Sequence, residues 1–596
     1  MPNISPSAIF LAIELHCRMI SIKKLSVFLA VASLPFISEM AYSQKNDPER
    51  IEQNIEKVID KCAPACVRIW DYDTLSHRQM SAPFSGVVVD SDGDILTAAH
   101  VTIPGKTCKV TFPDGRECIA MALGKIELAQ DKSVPDVGMM KILTKGPWPY
   151  AEMGRSSGLE FNEPCLSISY PESLFNPLPT VRFGYISHVK NAKGFVQSTC
   201  IMEPGDSGGP LFDYFGHVIA LHSAVDIPED INYEIPVDLY IKYWTALHSP
   251  TVYTSFPDSP DVINNNPPVK KAGLIPGIKG FNKRMAGVAS KFQAAGLTIK
   301  SRVHGKEQRA VGTLFSLQGI SQMNGRYQCV VAGKSSIVGN DSITLFDGKH
   351  RIPATVIFRD RQNDLVILQP EREIKGGIIF RQGLNDSLPA IRPGKFLVSP
   401  QPDEAAIISI AGGIPFKSGK FFSIGFLGAS ISPKSGPLLL VYIQSPSPAS
   451  EQDMRIGDEV LSINGVPMNK AEDYGNELMK YWPGDTVTMQ MSRSGAAYSK
   501  EIVLGTMPLP PMALHHPAEQ FAGGKSVIRD GFEQVFSHDA ILTPEMCGGP
   551  VFDIEGHFCG INIARHSRAS SLVIPAEVIY SIIDRALLIR PGQQKS

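Results

Sequence analysis

Short runs of alternating apolar and polar residues carry most of this chain. VRIW, SGVVVD, CKVTF, CLSIS and VIALH follow one another up to about residue 247, separated by turn pairs such as Asp92-Gly93 and Asp114-Gly115. A period of two bounded by turn residues predicts strands, and many short strands at close spacing predict an all-β barrel or sandwich. Residues 49–61 break the pattern, because apolar positions 51, 55, 58 and 59 have helical spacing. Residues 249–276 are rich in Pro, Asn and Ser and read as an exposed linker.

A weaker copy of the strand pattern begins near residue 283. DILTAAHVTIPGKTCKVTFPDGRECIA parallels YQCVVAGKSSIVGNDSITLFDGKHRIPA, and SVPDVGMMKIL parallels RQNDLVILQPE. VQSTCIMEPGDSGGPLFDYFGHVIAL parallels VFSHDAILTPEMCGGPVFDIEGHFCGI, but this third pair is displaced by roughly 110 residues more than the first two. The chain therefore reads as a duplication with an insertion inside the second copy.

Composition narrows the class. With 57 basic against 59 acidic residues, the formal net charge of −2 lacks the basic excess of a nucleic-acid binder. A hydrophobic content of 43% permits buried cores and excludes wholesale disorder. The first residues read differently from the rest. From Met19 the chain runs MISIKK, LSVFLAVASLPFI and SEMAYSQKN. This is a basic segment with Lys23 and Lys24, an apolar segment, and Ala41-x-Ser43 as a small-residue cleavage site. Residues 1–43 are thus expected to be a signal peptide, with translation starting at Met19 and the mature protein periplasmic or secreted. Membrane attachment is expected only where the leader stays uncleaved.

Export makes disulfides chemically accessible. Cys108 and Cys118 flank the Pro113-Asp114-Gly115 turn, so a cross-hairpin bridge is open to them. Cys62-x3-Cys66 has no second ligand pair at zinc-like spacing, and neither a metal nor an organic cofactor is expected.

The chemistry concentrates at three points of the first copy. Gly205-Asp206-Ser207-Gly208-Gly209-Pro210 is a sharp glycine-rich turn presenting one serine. A serine hydroxyl is a weak nucleophile unless a base lies within hydrogen-bond reach, and its reaction needs backbone amides aimed at the oxyanion. Leu96-Thr97-Ala98-Ala99-His100 ends a strand with a histidine, and Asp136 opens the strand DVGMMKI. The order His, Asp, Ser is the chymotrypsin order.

TAAHV, DVGMMKI and GDSGGPLFD resemble the trypsin-like serine proteases, and with the insertion they resemble the HtrA/Deg family, which joins such a domain to PDZ domains. The resemblance implies His100 as general base, Asp136 as its orienting group, Ser207 as nucleophile, and the Gly205 and Ser207 amides as the oxyanion hole. It also places Ile201, six residues before the serine, at the base of the substrate pocket. An apolar residue there implies cleavage after small or medium apolar side chains. His222 in VIALHSAV is open to two readings, a border of that pocket or a surface position.

The second copy departs where the chemistry lies. Lys334 replaces the histidine, Asp364 remains, Cys547 replaces the serine, and Glu545 replaces the first glycine of the oxyanion turn. A retired pseudoprotease is expected, with cysteine-type activity at Cys547 as the alternative. In the insertion, FFSIGFLGASIS followed by RIGDEVLSING and PGDTVTMQMSRSG resembles a PDZ domain. Gly425, Phe426, Leu427 and Gly428 stand where its loop would bind a peptide C-terminal carboxylate.

The expected architecture is mainly β: two chymotrypsin-like double β-barrel units, the second degenerate, with a PDZ domain inserted in the second. The boundaries are 49–247 for the protease unit, 248–282 for a linker, 283–419 and 507–590 for the degenerate unit, and 420–506 for PDZ. The expected function is HtrA-like serine endopeptidase action on unfolded or damaged proteins. Expected partners are polypeptide substrates and peptide C-termini, not nucleic acid, and homo-oligomerisation is left open. The rival reading is a non-catalytic PDZ and pseudoprotease scaffold.

Overall fold

The computed structural model describes residues 47–128, 134–261, 278–317, 328–348, 350–380, 388, 390–433, 436–509 and 514–588. The expected signal peptide lies outside these residues, as does the middle of the expected linker. The helical spacing near residue 50 yields a helix over Asp47–Cys62, with Ile55, Val58 and Ile59 buried.

Alternation becomes barrel wall. In the first copy, β1 (Cys66–Asp73), β2 (Phe84–Val88), β3 (Asp94–Ala98), β4 (Thr107–Thr111), β5 (Glu117–Ile126) and β6 (Val137–Ile142) form one sheet in the order β5-β4-β1-β2-β3-β6. Pairing of β6 with β5 closes it. Cys108 and Val110 of β4 face its core beside Val67, Ile69 and Met140, while Thr107, Lys109 and Thr111 look outward. Six more strands follow: β7 (Pro164–Ser169), β8 (Thr180–His188), β9 (Val196–Ser198), β10 (Pro210–Asp213), β11 (Val218–Val225) and β12 (Asn232–Pro236). They close a second antiparallel barrel in the order β9-β12-β11-β10-β7-β8.

The second copy repeats this plan. Strands Gly296–Val303, Lys306–Ser316, Cys329–Lys334, Asp341–Asp347, His350–Asp360 and Leu365–Pro370 form a ring closed by the first pair. Phe396–Ser399 and Ile407–Ile410 then join Phe536–His538, Pro550–Asp553, Phe558–Arg565 and Ser571–Pro575 in a six-stranded sheet. The bridge between Ala411 and His538 brings its ends together. Between Ile407–Ile410 and Phe536–His538 of this sheet, the insertion builds its own core from Leu427, Leu440, Val460, Ile463, Met489 and Ile502. Its helix, Ala471–Leu478, and the sheet of Glu459–Ile463, Thr486–Arg493 and Ala496–Val503 enclose that core.

Two expectations change. The linker is shorter than expected at both ends. Val252–Tyr253 adds a parallel strand to β5, and a helix over Ile278–Ala289 has already begun. Cys108 and Cys118 are not bridged, because Cys108 pairs with Ala120 and Cys118 with Val110. Residues two places off register lie about 7–8 Å apart, beyond disulfide reach. All nine cysteines among the described residues are free thiols. No helix among the described residues is long and apolar enough to cross a membrane.

Candidate active site

The groove between the first two barrels collects the residues of the three motifs. His100 sits in the 3-10 turn Ala99–Val101 that follows β3, and Asp136 immediately precedes β6, the neighbour of β3. The adjacency of these strands sets the pair: Ala99 N donates to the Asp136 carbonyl and His100 N to Asp136 Oδ2, both at 3.0 Å. His100 Nδ1 lies 2.7 Å from Asp136 Oδ2, and Nε2 lies 3.0 Å from Ser207 Oγ, which the second barrel supplies. Ser223 Oγ donates to Asp136 Oδ1 at 2.5 Å. Burial opposes ionisation of Asp136, but hydrogen bonds and charge from His100, with the Ser223 hydroxyl, outweigh it and hold the carboxyl below its ordinary value. A carboxylate there keeps one imidazole nitrogen protonated and leaves the other to accept a proton from serine.

The turn around Ser207 needs its glycines. Gly205 has φ of +95°, and a Cβ on it would stand 2.5 Å from Glu172 N. At Gly208, φ is +79° and a Cβ would meet Thr97 Oγ1 at 2.0 Å. Left-handed backbone with no room for a side chain admits only glycine. Glu172 N donates to the Pro204 carbonyl at 2.8 Å. Because a trans peptide is planar, anchoring that carbonyl points the Gly205 N–H the opposite way. Among the described residues neither the Gly205 nor the Ser207 amide donates to a protein group, so both are open to an incoming oxyanion.

Behind the turn lies a buried ion pair that motif reading missed. Arg182 donates to Asp206 Oδ2 at 2.8 Å, with both side chains essentially inaccessible. The same carboxylate accepts from Glu203 N and, on Oδ1, from Ser169 Oγ, both at 2.8 Å. Asp206 thereby braces the residues on either side of the oxyanion amides. A buried carboxylate beside a nucleophile was itself the available signal, since such a group demands a partner.

A cleft of about 500 Å³ runs past these groups, bordered by His100, Ser207, Met202, Ala224 and Val225. Ile201 is not among its lining residues. Met202 takes that place, its amide held by Asn232 Oδ1, and Ile201 lines a separate cavity with Phe183 and Phe396. His222 is neither a pocket border nor a surface residue. It is fully buried, burial lowers its pKa to about 4, and Nε2 lies 2.6 Å from Ser167 Oγ. This second Ser–His contact is sealed inside the barrel, and its Nδ1 has no hydrogen-bond partner. A peptide cannot reach it.

The corresponding turn of the second copy is built differently. Lys334, fully buried, donates to Asp364 Oδ2 at 2.6 Å and to the Ile528 and Ile563 carbonyls at 2.9 and 2.8 Å. All three ammonium protons are thus committed, and none serves Cys547. Burial raises the Cys547 thiol, which Lys334 offsets only in part. The Cys547 amide donates to the Pro544 carbonyl, so one of the two expected oxyanion donors is used internally. Glu545 lies in the 3-10 turn Pro544–Met546 where the first copy has its left-handed glycine. Thiolate chemistry is favoured by a lowered pKa, and here burial outweighs the groups that would lower it.

In the inserted domain, Gly425 N already donates to the Tyr481 carbonyl, and Phe426 pairs with Gly505. Of the four expected carboxylate-binding residues, Gly425 therefore does not offer its amide. The amides of Leu427 and Gly428 make no hydrogen bond among the described residues. As for metals, Asp553, Glu555 and His557 bring ligand atoms within 4.8 Å of one another, but Lys395 Nζ already stands 3.2 Å from Asp553.

Comparison with known proteins agrees with this division. Residues 84–221 match the trypsin-like peptidase domain and residues 425–504 the PDZ domain. The serine protease HTRA1 of Xenopus tropicalis is 32% identical over 214 residues, covering 34% of this chain and 45% of that protein. The putative serine protease HhoA of Synechocystis is 31% identical over 173 residues, covering 27% and 42%. The chain thus spans less than half the length of these relatives. With matches to a trypsin-like peptidase domain and a PDZ domain in one polypeptide, the chain is similar to the HtrA-type serine proteases.

Proposed function

We propose that the protein is an exported serine endopeptidase that hydrolyses unfolded or damaged polypeptides. The observation that carries this reading is the unbroken relay from Asp136 through His100 to Ser207, beside two amides with no protein acceptor. His100 takes the Ser207 proton as the hydroxyl attacks the scissile carbonyl, Asp136 steadies the imidazolium, and the Gly205 and Ser207 amides hold the oxyanion. His100 then returns the proton to the leaving amine, and water repeats the cycle on the acyl-enzyme. Met202, Ala224 and Val225 give the cleft an apolar border, which supports cleavage after apolar residues. The PDZ domain binds peptide C-termini through the Leu427 and Gly428 amides. The second barrel pair does not catalyse, because its lysine is locked and its oxyanion turn is closed.

Degradation of unfolded casein by the mature chain, followed by gel and mass spectrometry, tests this. The wild type is expected to produce fragments ending in apolar residues, and Ser207→Ala none. Undiminished degradation by Ser207→Ala would overturn the assignment.

A further inference from the structure

The loops that brace the oxyanion turn are not self-supporting. Two of them reach it. In the loop after β7, Glu172 N holds the Pro204 carbonyl and Ser173 Oγ donates to Glu203 Oε1 at 2.6 Å. Where the loop between β11 and β12 ends, Asn232, the first residue of β12, accepts from Met202 N and donates to the Glu229 carbonyl of that loop at 3.1 Å. The strand entering this second loop carries Ser223, which bonds Asp136, and the cleft residues Ala224 and Val225.

Both loops end on one short segment of the second barrel pair. Arg568, fully buried, donates to the Asp226 carbonyl at 2.6 Å and the Pro228 carbonyl at 2.8 Å. Its neighbour Arg565, also fully buried, pairs with Glu229 at 2.5 Å and bonds the Arg568 carbonyl. Between them, His566 Nε2 lies 2.9 Å from the Ser173 carbonyl, while Nδ1 faces the Arg529 carbonyl at 2.8 Å. Arg568 also reaches the Pro517 carbonyl, and Pro517 borders the active cleft. The turn after Phe558–Arg565 holds in its own barrel the place that residues 226–231 hold in the first, so like loops face each other.

Two buried guanidiniums aimed at backbone carbonyls are costly to install and serve geometry, because a planar fork fixes the direction of each acceptor. We infer that the Arg565–Arg568 turn of the second barrel pair is a clamp that holds the oxyanion turn and cleft wall of the first in working position. Arg565 and Arg568 are positioning residues that act through Glu229 and Asn232, and His566 between them acts through Ser173. The catalytically silent copy thereby completes the active one. The inference rests on the reading of Ser207 as nucleophile.

The test uses the full chain, a peptide substrate with an apolar P1 residue, and the matching peptide boronic acid, which forms a tetrahedral adduct on a serine. Arg568→Met is expected to lower kcat and boronate affinity together by about 10²-fold, the scale of one lost oxyanion donor, with KM within about threefold. Arg568→Lys restores part of that loss. Glu229→Gln keeps its shape, opens no cavity, and is expected to cost about tenfold in the same two quantities. Melting temperatures identify the folded variants. Folded Glu229→Gln and Arg568→Lys with wild-type kcat and boronate affinity, or a loss confined to KM, would overturn the clamp. A wild type that neither turns over substrate nor binds boronate defeats the underlying reading. An active wild type beside unchanged variants defeats the clamp alone.

Discussion

Ser207→Ala is expected to lower kcat for a peptide substrate by about 10⁶, and His100→Ala by nearly as much. Serine without its base, and base without its serine, are each close to useless, because the two act as one unit across 3.0 Å. The double variant is therefore expected to be no slower than either single one, leaving a residual acceleration of about 10³–10⁴ from binding and the oxyanion amides. Steady-state kinetics on the three variants decide this. Losses that multiply in the double variant would mean that the two residues act independently, contrary to the relay.

The second large effect falls on stability. Arg182 and Asp206 form an ion pair with neither partner accessible to water. Removing one member strands the other's charge in the barrel, a change that typically costs about 3–5 kcal/mol. Arg182→Met and Asp206→Asn are both expected to lose that much in denaturant unfolding of the second barrel. An apolar double replacement is expected to recover much of the stability, since paired removal strands no charge. It does not recover activity, because Asp206 also fixes Glu203 N and Ser169 Oγ at the oxyanion turn. Single variants within about 1 kcal/mol of wild type would show that the pair is solvated and not structural.

The two kinds of residue differ in how far sequence exposes them. Strand alternation and turn pairs are local, so the barrels could be read from runs such as CKVTF, where every second residue faces the core. His100, Asp136 and Ser207 were legible because each sits in a short motif whose backbone demands, such as the left-handed Gly205, leave a mark. Arg182, Ser223 and Glu172 lie in unremarkable strands and loops, and only closure of the barrel brings them to the site. Ile201 shows the limit of counting back from the nucleophile. Met202, its amide held by Asn232, lines the cleft where Ile201 was expected, and no spacing rule contains that hydrogen bond. Arg565 and Arg568 were further out of reach, since their partners lie more than three hundred positions earlier in the chain.

The second copy makes a complementary point. Its substitutions were visible, but their consequence was not. Lys334 stands in the histidine's place and yet is no base, because Asp364 and two carbonyls occupy its protons. A charge that looked available is a structural plug.

The most direct measurement is the site of covalent capture. The folded chain is treated with a fluorophosphonate and, separately, with iodoacetamide, digested, and mapped by mass spectrometry. A phosphonyl adduct on the peptide containing Ser207, lost in His100→Ala, with Cys547 unalkylated in the folded protein, is the expected result. A folded, active chain with no adduct at Ser207, or with turnover that disappears when Cys547 is alkylated, would contradict it.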